Sequence, residues 1–435
     1  MVQLSYSWTM RTIASFFIVT LIALFTVTPQ VGHTASPSGE VRIRSCSPTA
    51  DNAIAIRAAM QKLPRGGSII LPGQDCPMRT TVALSASNIP YEFLGRAASE
   101  AGQAAQGTVL RWTGGAGVMF DIQTDARNAV FRDLQIDNTG SATHFLRANF
   151  VNYVTLENVM VRPTNGFSAW AIELCQTTRC EHVNLTNVMV RSGQVAGSGG
   201  GIWAARVHDF SALQISVIGN VGTSSLDPAL RIGVPGSADV INFLCLQCSL
   251  GTGPNVNTVV IEQARMLKFV GGHFESDGTG AGIEIPSGAN AEQVICDGCY
   301  FSSGWDGTLS SCAVRVNSSS ANVAVYDTYM IQFADPSYLV CNSSSRQIVA
   351  FNNHIAVTGG RLTDNYTAGN VLAAHNTLAG AVQPLLLPRF AFADLSADQP
   401  NGVVAFCSDC MTTTPCLGGG DGAVAKRLNG VWDCD

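Results

Sequence analysis

Apolar and polar positions repeat along this chain in blocks of eight. Places 1, 3, 6 and 8 favour apolar residues, with a two-residue break at places 4 and 5. Ten such octets start at Ala129, Val154, Val183, Phe210, Phe243, Leu267, Val294, Val323, Ile348 and Val371, about 27 residues apart on average. Alternation within each half points one set of side chains inward, and the phase jump in the middle requires a bend. Place 5 holds Asp133, Asn158, Asn187, Gln214, Gln247, Gly271, Gly298, Asp327 and Asn352. These types tolerate the left-handed backbone or bond their own backbone. A further short strand precedes most octets, as in Ile172–Leu174, Leu230–Ile232, Ile283–Ile285 and Val314–Val316. Each coil therefore holds about three strands. Ten coils stacked ~4.8 Å apart give a rod on the order of 45–50 Å. The expected fold is all-β, a right-handed parallel β-helix of about ten coils.

The ends differ from the repeat. Residues 51–63 have helical periodicity, with Asp51 as the cap. A solenoid end must be covered, and this helix suits that task. The expected organisation is a signal peptide over 1–35, an amino-terminal cap leading into the first coils over 36–110, and the β-helix over 111–383. A fold-back segment and a small cysteine-rich β module follow over 384–435.

The order helix, Gly66-Gly67, apolar strand, Leu71-Pro72-Gly73, then a coil array resembles the pectate-lyase-like right-handed β-helix superfamily. Asp51, Ala58-Ala59 and the stretch from Gly271 to Ile285 (GGHFESDGTGAGIEI) carry the same resemblance, which covers about residues 48–380. The superfamily includes polysaccharide lyases, glycoside hydrolases, epimerases, phage tailspike domains and non-enzymatic surface proteins. The resemblance therefore implies a fold, not an activity. The polygalacturonase-like motifs Asn-Thr-Asp, Asp-Asp, Gly-His-Gly and Arg-Ile-Lys do not occur, nor does the epimerase-like Asp-Pro-His-Asp. No two acidic residues are adjacent anywhere in the chain. A Ca²⁺ site needs several oxygen ligands, so no carboxylate cluster supports calcium, and no cofactor or metal is expected.

Lys plus Arg total 25 against 31 Asp plus Glu, a net charge of -6. That balance argues against nucleic acid as a partner, because phosphate binding needs a basic field. Arg11 precedes an apolar run from Ile13 to Val27. The run is shorter than the ~20 residues that span a bilayer. A cleaved signal peptide is preferred to an uncleaved anchor, so the protein is expected to be secreted, extracellular or periplasmic, with no membrane contact after cleavage. Its fourteen cysteines then read as disulfides. Cys46–Cys76 and Cys175–Cys180 are plausible pairs, and two further bridges are expected in the tail in preference to zinc. Cys245/Cys248 and Cys296/Cys299 occupy inward places, where a bridge within each bend, or buried thiols, fits better than metal. Cys312 and Cys341 do not align in register.

Place 7 faces outward. In four successive coils it holds His273, Tyr300, Tyr329 and His354, a stripe roughly 15 Å long. Aromatic faces in a row suit sugar rings, so these four are candidate substrate contacts, with Trp305 beside them and Glu284, in a second column, as a further candidate contact. Glu275, Asp277 and Asp306 lie in the loops leaving the octets and are the candidate acid, base or nucleophile of glycosidic cleavage. A second outward column reads Arg147, Glu173, Trp203, Arg231, Val260, Glu284, Arg315, Val340. There Arg315 is a candidate base for β-elimination, against the commoner reading of an ion-pair ladder with Glu284. Places 2 and 4 turn apolar in later coils, at Leu244, Leu246, Val270, Ile295, Tyr326, Val349, Phe351 and Leu372. Such a face is normally covered. Fold-back of 384–392 is preferred to oligomerisation, and a monomer to a homotrimer. The expected function is action on, or binding of, an extracellular or cell-wall polysaccharide, as a lyase or a glycoside hydrolase. The alternative is a non-catalytic adhesion or structural β-helix, such as a tailspike-like oligomer. Whether the chain is an enzyme is left open.

Overall fold

The computed structural model describes residues 39–85, 89–96, 107–123, 126–149, 151–191, 199–219, 227–236, 240–304, 309–342, 348–363, 371–378, 381–382, 389–395 and 404–435. The predicted signal segment lies outside them. No helix of the described residues is long and apolar enough to cross a membrane.

The chain folds as a mostly β, parallel β-solenoid. A sheet of 23 strands carries the octets, and a second sheet of 11 strands carries the short strands between them. The octets lie in the predicted register. Val154, for example, sits beside Ala129 on one side and Val183 on the other. The second sheet counts about eleven turns, more than the ten octets. The additional rungs lie in the region assigned to the cap. Tyr91–Leu94 pairs with the first half of the Ala129 octet, and Thr108–Trp112 pairs with its second half. Residues 95–107 intervene between these two strands, so the eight-residue pattern is split and escapes a search for contiguous octets. Gly67–Ile70 and Asp75–Met78 repeat the arrangement one rung earlier.

The bend takes the predicted backbone. Place 5 has positive φ in all ten octets, between 50° and 63°, including His375 of the last octet at 57°. That conformation turns the chain so that places 6 and 8 point inward again. The interior is filled by stacked rings. Phe210 and Phe243 lie 4.5 Å apart at 10°, and Phe274 and Phe301 lie 5.0 Å apart at 22°. Near the carboxy-terminal end place 6 becomes polar, and the bend is held by hydrogen bonds instead. Asn353 accepts from the Thr328 amide (3.0 Å) and donates to the Val325 carbonyl (3.0 Å), and Asn376 donates to the Ala350 carbonyl (3.0 Å).

The helix Asn52–Gln61 forms as predicted and buries Ala53, Ile56 and Ala59. Asp51 accepts from the Ala53 amide (3.2 Å) and, across the first coil, from the Arg79 amide (2.8 Å) and the Thr80 hydroxyl (2.5 Å). The buried Asn52 amide donates to the Pro77 carbonyl at 2.8 Å. The helix is thus tied to the first coil by side chains as well as by packing.

All fourteen cysteines are paired. Cys46–Cys76, Cys175–Cys180, Cys245–Cys248 and Cys296–Cys299 join as expected. The tail carries Cys407–Cys410 and Cys416–Cys434. Cys312–Cys341 is also bridged, with Cα atoms 5.9 Å apart. Cys312 is in register with Tyr338, but bridging depends on Cα separation, and 5.9 Å lies within the usual span. The same rung corrects the second outward column. Arg315 lies beside Cys341, whereas Val340 lies beside Val314 and is buried. The strand Ser337–Asn342 is offset by one residue from the expected alignment, and a one-residue slip reverses the face.

In the tail, Ala423–Leu428 pairs antiparallel with Val404–Cys407 and with Val431–Cys434. Asn429 and Gly430 both have positive φ, as a two-residue hairpin turn requires. Arg389–Phe390 adds to this small sheet beside Phe406–Cys407. Residues 384–388 of the expected fold-back lie outside the described residues. The outward apolar residues at places 2 and 4, from Leu244 to Leu372, are half-buried.

Candidate functional site

The four place-7 residues come together as the register requires. His273 lies beside Tyr300, Tyr300 beside Tyr329, and Tyr329 beside His354. Tyr300 and Tyr329 stack at 5.8 Å and 11°, and Tyr329 and His354 at 4.8 Å and 7°. His273 meets Tyr300 edge-on, at 5.0 Å and 62°. This geometry alters the expected chemistry. The ring faces are occupied by one another, as happens when rings in adjacent coils share a column. The row therefore presents ring edges, phenol hydroxyls and imidazole nitrogens outward rather than a line of open faces. Tyr329 is the most exposed of the four, at 38%.

A polar cluster stands at one end of this row. The strand His273–Asp277 alternates outward His273, inward Phe274 and outward Glu275. Glu275 lies in register between Gly251 and Ser302. A Cβ added at Gly251 would stand 3.6 Å from the Glu275 Cβ, so the glycine leaves that side of the carboxyl uncovered. The His273 Nε2 lies 2.9 Å from the Ser302 Oγ. Burial pushes the Glu275 carboxyl above the usual range, and the nearby Asp277 charge adds to the effect. Burial also lowers the His273 imidazole, favouring its neutral form. Burial, then the neighbouring Tyr329 and Glu275, raise the Tyr300 phenol.

Asp277 departs from the expected loop position. It ends the strand fully buried. Its Oδ1 accepts from the Gly304 amide at 2.5 Å and from the Ser303 hydroxyl at 3.5 Å. Burial leaves Asp277 no open face toward an outer groove, and it acts on Glu275 through its charge. Trp305 and Asp306 lie outside the described residues.

Glu284 and Arg315 are rung neighbours in the second sheet, and so face away from Glu275. Arg315 donates to the Thr279 carbonyl at 2.7 Å and to the Asn257 Oδ1 at 3.4 Å, with the Glu284 carboxylate 3.9 Å away. Glu284 accepts from the Asn257 and Asn317 side-chain amides. The guanidinium is held as an ion-pair and carbonyl partner.

The second sheet also carries a network that periodicity only half revealed. Asp121 precedes Arg147 in the column and receives two hydrogen bonds from it, at 3.0 and 2.8 Å. His144 Nε2 lies 3.3 Å from the Glu173 carboxylate, and both are buried. Trp170 and Trp203 meet at 5.6 Å, and the Arg231 guanidinium lies 5.3 Å from the Trp203 ring centre. Arg147, Glu173, Trp203 and Arg231 were legible as one column. His144 and Trp170 were not, because they fall outside the alternation. The Phe145 and Leu146 amides both donate to the Ala171 carbonyl, an irregularity in the strand beside His144.

Among the described residues, the groups close enough to share a metal ion are Cys410 with Cys416 and Cys434, and Cys407 with Asp409 and Cys410. Their sulfurs are engaged in the two tail disulfides.

No family model matches the chain, and no curated protein matches it. Two solved structures are similar in fold. ORF18 of Geobacillus virus E2 aligns with a TM-score of 0.51 at 11% identity, covering 100% of this chain and 79% of that one. Tailspike protein 3 of bacteriophage CBA120 aligns with a TM-score of 0.42 at 14% identity, covering 89% of this chain and 67% of that one. At 11% identity the likeness to ORF18 concerns the fold alone: this chain is a β-solenoid.

Proposed function

We propose that this protein recognises an extracellular or cell-wall polysaccharide along the row His273–Tyr300–Tyr329–His354. One observation carries the reading. Hydrogen-bonding ring edges recur once per coil on an outward face, in register, ending at a half-buried carboxyl. A repeating polymer with many hydroxyls is the partner such a row fits, because phenols and imidazoles donate and accept at fixed spacing. The sequence resemblance to polysaccharide-active β-helix proteins supports the same class. The test is affinity electrophoresis of the full chain in gels holding neutral or acidic polysaccharides. At least one polymer is expected to retard the protein, and Tyr329→Ala to weaken that retardation about tenfold, the scale of one lost hydrogen-bonded contact of ~1.4 kcal/mol. No retardation by any polymer would refute the reading.

The raised Glu275 carboxyl favours a second reading, in which the bound polymer is cleaved with Glu275 as proton donor. Glu275→Gln would then lower the release of new reducing ends by about 10²–10⁴-fold. Unsaturated ends would instead signify β-elimination, and absence of any product would leave a binding or adhesion protein.

A further inference from the structure

We propose that Ser302 and His273 form a nucleophile–base pair that removes ester-linked acyl groups from the saccharide held on this face. The substrate class rests on the saccharide reading above, but the chemistry of the pair does not.

Acyl transfer by serine needs a hydroxyl and a general base within hydrogen-bond reach, with the base neutral before reaction. Ser302 Oγ and His273 Nε2 are 2.9 Å apart, on strands paired in parallel register. The lowered His273 imidazole is in the state a base requires. Glu275 lies two residues along the same strand, faces the same side, and is in register with Ser302. Ser302 is 5% exposed and lies one rung from Glu275, with Gly251 on the far side of Glu275. A sugar ring on the adjacent Tyr300 and Tyr329 edges brings a substituent, rather than the glycosidic oxygen, down to this hydroxyl.

The steps balance without any added oxidant or metal. Ser302 Oγ attacks the ester carbonyl while its proton passes to His273. The tetrahedral intermediate collapses, breaking the bond to the sugar oxygen, which leaves as a hydroxyl with the proton from His273. Water, deprotonated by His273, then attacks the acyl-serine. The carboxylic acid departs, and the proton returns to Ser302.

The test separates the two readings. The full-length protein is treated with a fluorophosphonate, which labels activated serines without any saccharide. It is also assayed for acetate release from an O-acetylated polysaccharide and for hydrolysis of p-nitrophenyl acetate. The expected result is one phosphonyl adduct, located on Ser302 by peptide mass spectrometry. It is absent from Ser302→Ala, and its rate falls at least about 10²-fold in His273→Gln. Circular dichroism of each variant establishes that the fold is retained. No adduct on Ser302 of the wild type, or an adduct whose rate ignores His273→Gln, overturns the proposal. Labelling and p-nitrophenyl acetate hydrolysis without acetate release from the polymer would retain the pair and refute the saccharide.

Discussion

The side-chain amide of Asn353 donates to the Asn376 Oδ1 one coil further on, at 2.9 Å, and both residues are buried. The same Asn376 oxygen accepts from the Asn353 backbone amide at 3.0 Å. This ladder replaces the apolar place 6 of earlier coils, where Leu134, Val159 and Val188 fill the bend by packing.

Breaking the ladder strands several buried groups at once. Asn353→Ala removes the partners of the Thr328 amide and the Val325 carbonyl. Each unsatisfied buried group costs about 1–3 kcal/mol. Urea unfolding is expected to show a loss of about 2–4 kcal/mol, and a change below about 0.5 kcal/mol would show that the ladder is dispensable.

The helix cap is predicted to be pH-dependent. Burial raises the Asp51 carboxyl, but hydrogen bonds from Thr80, Arg79 and Ala53 outweigh it and hold the group below the usual range. A depressed folded value means the contribution is present above the unfolded value, near 3.8, and is lost as pH falls through the folded one. Asp51→Ala should cost about 1 kcal/mol at pH 7. The gap between variant and wild type should narrow in acid. Melts at neutral and acidic pH measure both, and a gap that widens in acid would contradict the assignment.

Glu275 has the opposite sign. Its folded value is raised by burial and by Asp277, so the folded state binds more protons than the unfolded state in the window between the two values. Stability from this group therefore falls as pH rises from about the ordinary glutamate value of 4.5. Glu275→Gln is expected to raise the melting temperature at pH 7 and to leave it unchanged well below pH 4.5. A lower melting temperature at pH 7 would mean that the carboxylate is stabilised by partners.

The disulfides should differ in weight. Cys46–Cys76 spans 30 residues, and Cys245–Cys248 spans 3. On the chain-entropy account the first contributes about 3–4 kcal/mol and the second about 1–2. Paired Cys→Ser replacements, compared by urea unfolding, are expected to follow that order. Equal losses would point to native-state packing around the sulfurs instead.

The repeat was legible because each coil faces the same problem: side chains alternate along a strand, and a bend must reset the phase. That constraint writes apolar residues at places 1 and 3 and a tolerant residue at place 5, and it located the bends and the outward column of His273, Tyr300, Tyr329 and His354; the capping helix was legible from its own helical period. The same register placed Cys245 beside Cys248 and Cys296 beside Cys299 within their bends, where both pairs are bridged. Rungs interrupted by inserted residues, as between Tyr91–Leu94 and Thr108–Trp112, carry no contiguous pattern and appeared only when strand pairing placed them. Tertiary structure alone decided how the outward side chains meet their neighbours. Periodicity set the side on which Tyr300 and Tyr329 stand, but ring orientation turned their faces on each other. Glu275 and Asp277 were both expected in a loop, but the strand continues through them, and the descent of the chain at Asp277 into the interior decided which carboxyl remains near the surface. The pairing of Ser302 with His273 depends on two strands 29 residues apart meeting in register, and periodicity along one strand carries no information about the side chain that meets it across the gap.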